Sequence, residues 1–224
     1  MIDIKTFVLR PPERQTLADS VTESLREAIF AGVFQTSERL AEAQLARRLQ
    51  VSRAPIREAL AALEQEGLVR RTSGGTTVSQ LSREDAVEIC TLRHALELLA
   101  MRLALGRPAE ALCAALEENI ERTRAATDPR DLARLDLEFH QILVRAAGHQ
   151  RLLAEWLKLR SQIRLILTQR NLGDARSHEG TLRAHNELLD SIKARDIDRA
   201  TSLLERQLQS QYAWIMRGFD DKQD

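Results

Sequence analysis

The sequence predicts a mainly α-helical protein in two parts: three short helices closed by a small β-hairpin, then an antiparallel all-α bundle of six or seven helices. Three observations predict it. Apolar residues recur at helical spacing along most of the chain. Strand-like residues flanking a turn occur only around Ser73-Gly74-Gly75. The stops between helices, such as Gly106 with Pro108, Asp128-Pro129 and Gly148, are brief, and brief connections make antiparallel neighbours.

Residues 1–15 hold Pro11-Pro12 and mixed polarity and read as an extended arm. A first helix is expected from Leu17 to Ala31, with Val21, Leu25, Ala28 and Ile29 on one stripe and Gly32 as its stop. Leu40 to Leu49 is a second, with Leu40, Leu45, Ala46 and Leu49 on one side. Gln50-Val51-Ser52 breaks it. Arg53 to Glu66 is the third, with Ile56, Leu60 and Leu63 inward. Ser52 stands at its N-cap, where a hydroxyl can accept from a first-turn N–H. Pro55 lies inside the first turn, where it forfeits no intrahelical hydrogen bond. Gly67 suits a left-handed C-terminal cap. Leu68 to Thr72 and Thr76 to Ser79 read as short strands around the turn Ser73-Gly74-Gly75. Two short helices joined by a tight break make a helix-turn-helix, and a hairpin directly behind the second is a wing.

From Ser82 onward the pattern is helical throughout. Ser82 and Asp85 form a variant capping box. Helices are expected at Ser82–Leu105, Ala109–Ala126, Arg130–Ala147, Gln150–Arg170, Asp174–Lys193 and Asp196–Arg217, with a frayed tail from Gly218. The split falls between residues 1–80, a DNA-binding domain with its arm, and residues 81–224, a helical domain. Cys90 and Cys113 lie in apolar helical patterns and read as buried free thiols. No apolar run is long enough for a membrane helix, and Met1 to Arg10 lacks a signal-peptide core, so a cytoplasmic protein is expected.

The charge is zero overall, with 33 basic and 33 acidic side chains, which argues against a general DNA coater. The basic character is local: from Arg39 to Arg71 seven arginines stand against four glutamates. A recognition helix presents its N-terminal residues to base edges. Here that turn carries Arg53 and Arg57, one helical turn apart, and each guanidinium can pair bidentately with guanine. Ser52 and the helix N-terminus suit a phosphate. Arg47, Arg48, Arg70 and Arg71 can reach the backbone on either side, and Gly74 lets the wing tip approach a groove.

Asp136 and His140 are four residues apart and project from one helix face, so they can share a divalent metal, with His185 as a third ligand. A surface ion pair, or a hydrogen-bonded core histidine, is the other reading of the same spacing. Arg93 shares a helix with Leu92, Leu96, Leu99 and Leu103, the expected inward side, and can either bind a carboxylate ligand or pair with Glu97 one turn on. His94, His149 and His178 read as surface positions. No Ser/His/Asp order, phosphate loop or dinucleotide fingerprint is present, and Glu138 lies on another face from the Asp136 cluster, so no enzyme is expected.

The run VSRAPIREAL-x-x-LE-x-EGLV over residues 51–69, with its glycine turn and strand, resembles the winged helix of GntR-type bacterial transcription regulators, and the likeness extends over residues 15–80. It implies that Arg53, Arg57 and Gly74 contact DNA and that Ala54 and Pro55 line the same surface. The family often has Pro-Gly where this chain has Thr36-Ser37, and a base-reading arginine in some members where it has Ala43. Residues 82–217 resemble the FCD effector domain of the FadR subfamily, through Leu92-Arg93-His94-Ala95-Leu96-Glu97, Asp136-x-x-Phe139-His140, Ala146-Ala147-Gly148-His149 and Thr181 to Leu189. That likeness implies a divalent metal (Zn, Ni or Mn) on one Asp and three His. Asp136, His140 and His185 match. The fourth ligand is expected in the last helix, where Gln207 stands nearest, so the set is incomplete. The resemblance also implies a homodimer on a palindromic double-stranded operator, a small carboxylate effector at Arg93 and the metal, and repression released by that effector. A DNA-binding protein whose helical domain only dimerises is the alternative.

Overall fold

The computed structural model describes residues 16–169 and 178–220. The expected arm over 1–15 and the start of a helix at Asp174 lie outside the described residues.

Helix α1 (Leu17–Phe30) begins at Thr16, whose hydroxyl accepts from the Asp19 N–H at 3.1 Å while the Asp19 carboxylate accepts from the Thr16 N–H at 2.8 Å. Gly32, at φ +71°, follows its end. Helix α2 (Glu42–Leu49) starts later than expected. Leu40 is extended instead, its N–H donating to the Thr76 carbonyl at 2.8 Å, and Arg39 bridges Thr77. This segment joins the edge of the wing, and that pairing outcompetes an earlier helix start. Leu40 is still buried; Leu49, expected inward, is exposed. Gln50, at φ +54°, ends α2 in the left-handed region and so makes the break.

Helix α3 (Arg53–Gln65) buries Ile56, Ala59, Leu60 and Leu63 and packs on α1 and α2. Gly67 at φ +74° closes it. Strands β1 (Val69–Thr72) and β2 (Gly75–Val78) pair antiparallel with Val69 opposite Val78 and Thr72 opposite Gly75. The turn is therefore Ser73-Gly74 alone. Gly75 belongs to the second strand at φ +115°, a conformation that calls for glycine, and the Arg39 guanidinium lies close beside it. Ser37, where the resemblance suggested glycine, has φ +63°, a conformation that favours it.

The bundle comprises α4 (Arg83–Leu105), α5 (Glu110–Ala125), α6 (Pro129–Ala146), α7 (Gln150–Gln169), α8 (His178–Lys193) and α9 (Ile197–Asp220). The Ser82–Asp85 capping box forms, with bonds of 2.8 and 3.1 Å. Helix α4 packs on α6, α7 and α9; α5 lies on α6 and α8; α8 lies on α9. Helix α9 does not fray at Gly218 but runs on, because Trp214, Ile215 and Phe219 are buried in the core. Cys90 is buried, and burial, only partly offset by the charge of Arg93, pushes its thiol up to about 11. Cys113 is only half-buried, contrary to expectation. Among the described residues no helix is long and apolar enough to cross a membrane.

Helix α4 reverses the expected facing. Leu92, Leu99 and Leu103 are 51%, 46% and 36% exposed, while Arg93 and Glu97 are 2% and 1% exposed. Their charges are accommodated inside because each meets partners from other helices.

Helix α7 joins the two parts. One apolar cluster includes Ile29, Phe30, Leu63 and Leu68 of the winged helix together with Leu159, Ile163, Ile166 and Trp214 of the bundle. Around it, Arg164 donates to both oxygens of Glu27 at 3.0 and 3.1 Å and sits 4.1 Å from the Phe30 ring centre. Glu66 accepts from Arg26 at 3.0 and 2.6 Å and from the Ser161 hydroxyl at 3.2 Å.

Candidate nucleic-acid interface and metal centre

At the first turn of α3 the side chains of Arg53, Ala54 and Arg57 are exposed and Pro55 is half-buried. Ser52 holds the N-cap position with extended backbone, but its hydroxyl makes no capping bond, against the sequence expectation. Ser52 is itself exposed, beside the first turn of α3. Arg47, Arg48, Arg70 and Gly74 are also exposed. Arg71 is exposed but tied: its N–H donates to Glu64 Oε1 at 3.0 Å and its Nε lies 3.6 Å from Glu64 Oε2.

The second site lies inside the bundle. Asp136 and His140 project from α6 and His185 from α8; all three are buried, and each offers a ligand atom within 4.8 Å of the others. They line a cavity of about 410 Å³ with Thr181, Arg206, Gln207 and Ser210. The Phe139 ring stacks on His185 at 3.7 Å between centres, 2° from parallel, which fixes the imidazole plane. His185 Nε2 is 3.4 Å from Asp136 Oδ1.

Behind the three stands a network that the sequence did not reveal as one. Glu97 accepts from Arg93 Nε at 2.5 Å and Trp156 Nε1 at 2.7 Å, and lies 2.6 Å from His140 Nδ1. Burial alone would raise the Glu97 carboxyl, but the charges of Arg93 and then His140, with their hydrogen bonds, pull it from 4.5 down to about 2. Glu97 is therefore a carboxylate and can only accept, so His140 Nδ1 is the donor in that contact and Nε2 is the ring atom left for a metal. Arg93 also donates to Gln211 Oε1, and Gln211 Nε2 donates to Asp136 Oδ2 at 2.9 Å.

This gives Arg93 a different place from the anion clamp expected of it. Its guanidinium pairs with Glu97 and stands behind Gln211 and Asp136, outside the cavity lining. Of the two readings left open by the sequence, the pair with Glu97 is the one formed. Trp156 was legible only as an apolar residue, and Gln211 carried one available signal, its place one turn beyond Gln207 on α9. Glu138 points elsewhere, bound by Arg122 at 2.5 and 3.1 Å and Arg134 at 3.2 Å. His149 accepts from the Leu152 N–H at 3.2 Å at the start of α7, and His178 lies 2.7 Å from the Thr123 carbonyl oxygen.

The donor set suits a divalent ion: two imidazoles, a carboxylate, and on the same wall the Gln207 Oε1, a buried acceptor with no hydrogen-bond partner among the described residues.

A winged helix followed by an all-helical domain is the architecture of a DNA-binding transcription regulator rather than of an enzyme. Residues 17–78 match the bacterial regulatory proteins of the gntR family and residues 88–210 match the FCD domain; the chain belongs to the gntR family and carries the FCD module. It is 34% identical over 182 residues to the uncharacterized HTH-type transcriptional regulator YdhC of Bacillus subtilis, covering 79% of this chain and 80% of that protein. It is 31% identical over 199 residues to the probable D-xylose utilization operon transcriptional repressor of Paenarthrobacter nicotinovorans, covering 85% of each. The fold resembles that of E. coli McbR/YncC, with a TM-score of 0.78 at 21% identity over 92% of this chain and all of that one.

Proposed function

We propose that the chain is a cytoplasmic repressor that binds a palindromic operator as a homodimer and leaves it when a small carboxylate enters the bundle. Arg53 and Arg57 read base edges in the major groove; Ser52 and the α3 N-terminus hold a phosphate; Ala54 and Pro55 line the contact; Arg47, Arg71 and Gly74 meet the flanking backbone. The observation that carries this is the exposed first turn of α3, with Arg53, Arg57 and an uncommitted Ser52 hydroxyl side by side.

The exposed Leu92, Leu99 and Leu103 on α4 support the dimer. They recur at helical spacing, and a second copy of α4 would remove them from water.

In the cavity, Asp136, His140 and His185 would hold a divalent ion, which supplies a Lewis-acidic anchor for a carboxylate when bound. Glu97 fixes the His140 tautomer, and Arg93 acts on the effector indirectly, holding Asp136 through Gln211. Arg206, exposed on the cavity wall, supplies the cation nearest an incoming anion. Trp156 connects Glu97 to α7, and α7 carries Ser161 and Arg164 against the winged helix, so a change at the cavity can bias the pose of the reading head.

The test is fluorescence anisotropy of a labelled operator with wild-type protein, titrated with short carboxylic acids in the presence of Zn2+ or Mn2+. A carboxylate that weakens operator binding and raises the melting temperature supports the proposal. No response to any acid, with DNA binding intact, leaves a helical domain that only dimerises.

A further inference from the structure

We propose that Gln207 supplies the fourth protein ligand of the metal centre through Oε1, giving a donor set of two nitrogens and two oxygens whose preference for Zn2+ over Mn2+ is narrower than that of a three-imidazole site. The proposal rests on the metal reading of the cavity given above.

Four observations carry it. Gln207 projects from α9 into the wall of the cavity that Asp136, His140 and His185 also line. Its amide nitrogen donates to the Ala184 carbonyl at 2.7 Å. That contact fixes which way the amide lies, because a flipped amide would set two acceptor oxygens against each other. Oε1 is thereby turned away from Ala184, and it is shielded from solvent with no hydrogen-bond partner among the described residues. A buried carbonyl oxygen without a donor is costly to leave so, and a cation at the cavity satisfies it without a proton. Finally, Gln211, one turn further along α9, donates to Asp136 Oδ2. One helix therefore brings a ligand oxygen and the residue that orients the carboxylate to the same centre.

The residue type sets the selectivity. Imidazole suits borderline ions such as Zn2+, whereas carboxylate and amide carbonyl oxygens suit harder ions such as Mn2+. Exchanging one imidazole for a carbonyl lowers affinity for Zn2+ more than for Mn2+.

The experiment uses the full chain as wild type and as Gln207→Leu, Gln207→His and Asp136→Ala, each checked for folding by circular dichroism. Zn2+ and Mn2+ binding are measured by equilibrium dialysis with elemental analysis. Cu2+ loaded as a probe reports the number of bound nitrogens through hyperfine splitting in its electron paramagnetic resonance spectrum. Gln207→Leu is expected to weaken Mn2+ by about tenfold or more, on the scale of losing a metal-site contact. Gln207→His is expected to tighten Zn2+ more than Mn2+ and to add a third nitrogen to the two of the wild type. If Asp136→Ala abolishes binding while Gln207→Leu binds as wild type, or Gln207→His still shows two nitrogens, the role of Gln207 is overturned and the metal centre stands. If wild-type protein binds neither ion, both fall together, and retained operator binding in the same preparation shows that the DNA-binding reading survives.

Discussion

Gln162 of α7 packs directly onto the α-carbon of Gly67, the left-handed residue that closes α3. A side chain at position 67 would strike the Gln162 amide, and the backbone at φ +74° disfavours one on its own account. The neighbouring Glu66 is held by Arg26 and Ser161, so the C-terminal end of α3 is gripped from both α1 and α7. The winged helix is thus set against the bundle at the end of α3 opposite its exposed first turn.

Gly67→Ala should lower stability by about 1–2 kcal/mol from the backbone term, with a further steric loss at Gln162. Thermal melts of Gly67→Ala, Gln162→Ala and the double variant separate the two. The double variant should recover the steric share and keep the backbone share. If the double variant recovers nothing relative to Gly67→Ala, the Gln162 side chain yields freely and its contact does not position the winged helix.

Arg53→Ala and Arg57→Ala should each weaken operator binding by about 1–3 kcal/mol, the worth of one bidentate base contact, with loss of discrimination at one base pair per half-site. Both side chains are exposed, so the melting temperature should stay where it is. Arg70→Ala, a phosphate-type contact, should instead weaken all sequences alike and reduce the salt dependence. A footprint unchanged in the double variant Arg53→Ala/Arg57→Ala contradicts the proposed reading face.

The winged helix was legible in the sequence because its signals are local. Pro55, Gly67 and the Ser73-Gly74 turn each specify one backbone conformation, and they agree with the apolar stripe of α3. What escaped was set by partners far along the chain. Leu40 left the helix because Thr76, on the wing, offered its N–H a strand partner. The facing of α4 escaped for a similar reason. Periodicity assigns leucines to the core, but Arg93 and Glu97 take that side because Gln211, His140 and Trp156, from three other helices, satisfy them there. Asp136, His140 and His185 could be named from spacing and resemblance together; the carboxylate that fixes His140 could not.

Glu97 is the hub of that network, and removing its charge should be costly. Glu97→Gln leaves Arg93 buried without its counter-ion and replaces one acceptor oxygen with a donor, which can no longer face both His140 and Trp156. Breaking a buried pair by removing one partner costs on the order of 3–5 kcal/mol. Urea unfolding should show that loss. A loss below about 1 kcal/mol, the scale of a surface pair, would mean that water or a local rearrangement compensates Arg93.

The leucines displaced to the outside of α4 give the last prediction. Leu92, Leu99 and Leu103 recur on one face, seven and four residues apart, and sit beside Ala95, also exposed. Each leucine is already about half-buried, so taking the rest out of water is worth roughly half of the ~1.5–3 kcal/mol of full burial, and a two-fold pairing of α4 helices would gather that gain from six such side chains, three per copy. Leu99→Lys should be the most damaging substitution, since a position near the middle of the stripe meets its own symmetry mate and two ammonium groups would face each other. Sedimentation should then show a monomer at concentrations where the wild type is a dimer. Affinity for the full palindrome should fall sharply, and affinity for a single half-site should not change. The substitution sits on an exposed position, so circular dichroism should report the same helix content in both proteins. A Leu99→Lys protein that still sediments as a dimer places the subunit contact on another face.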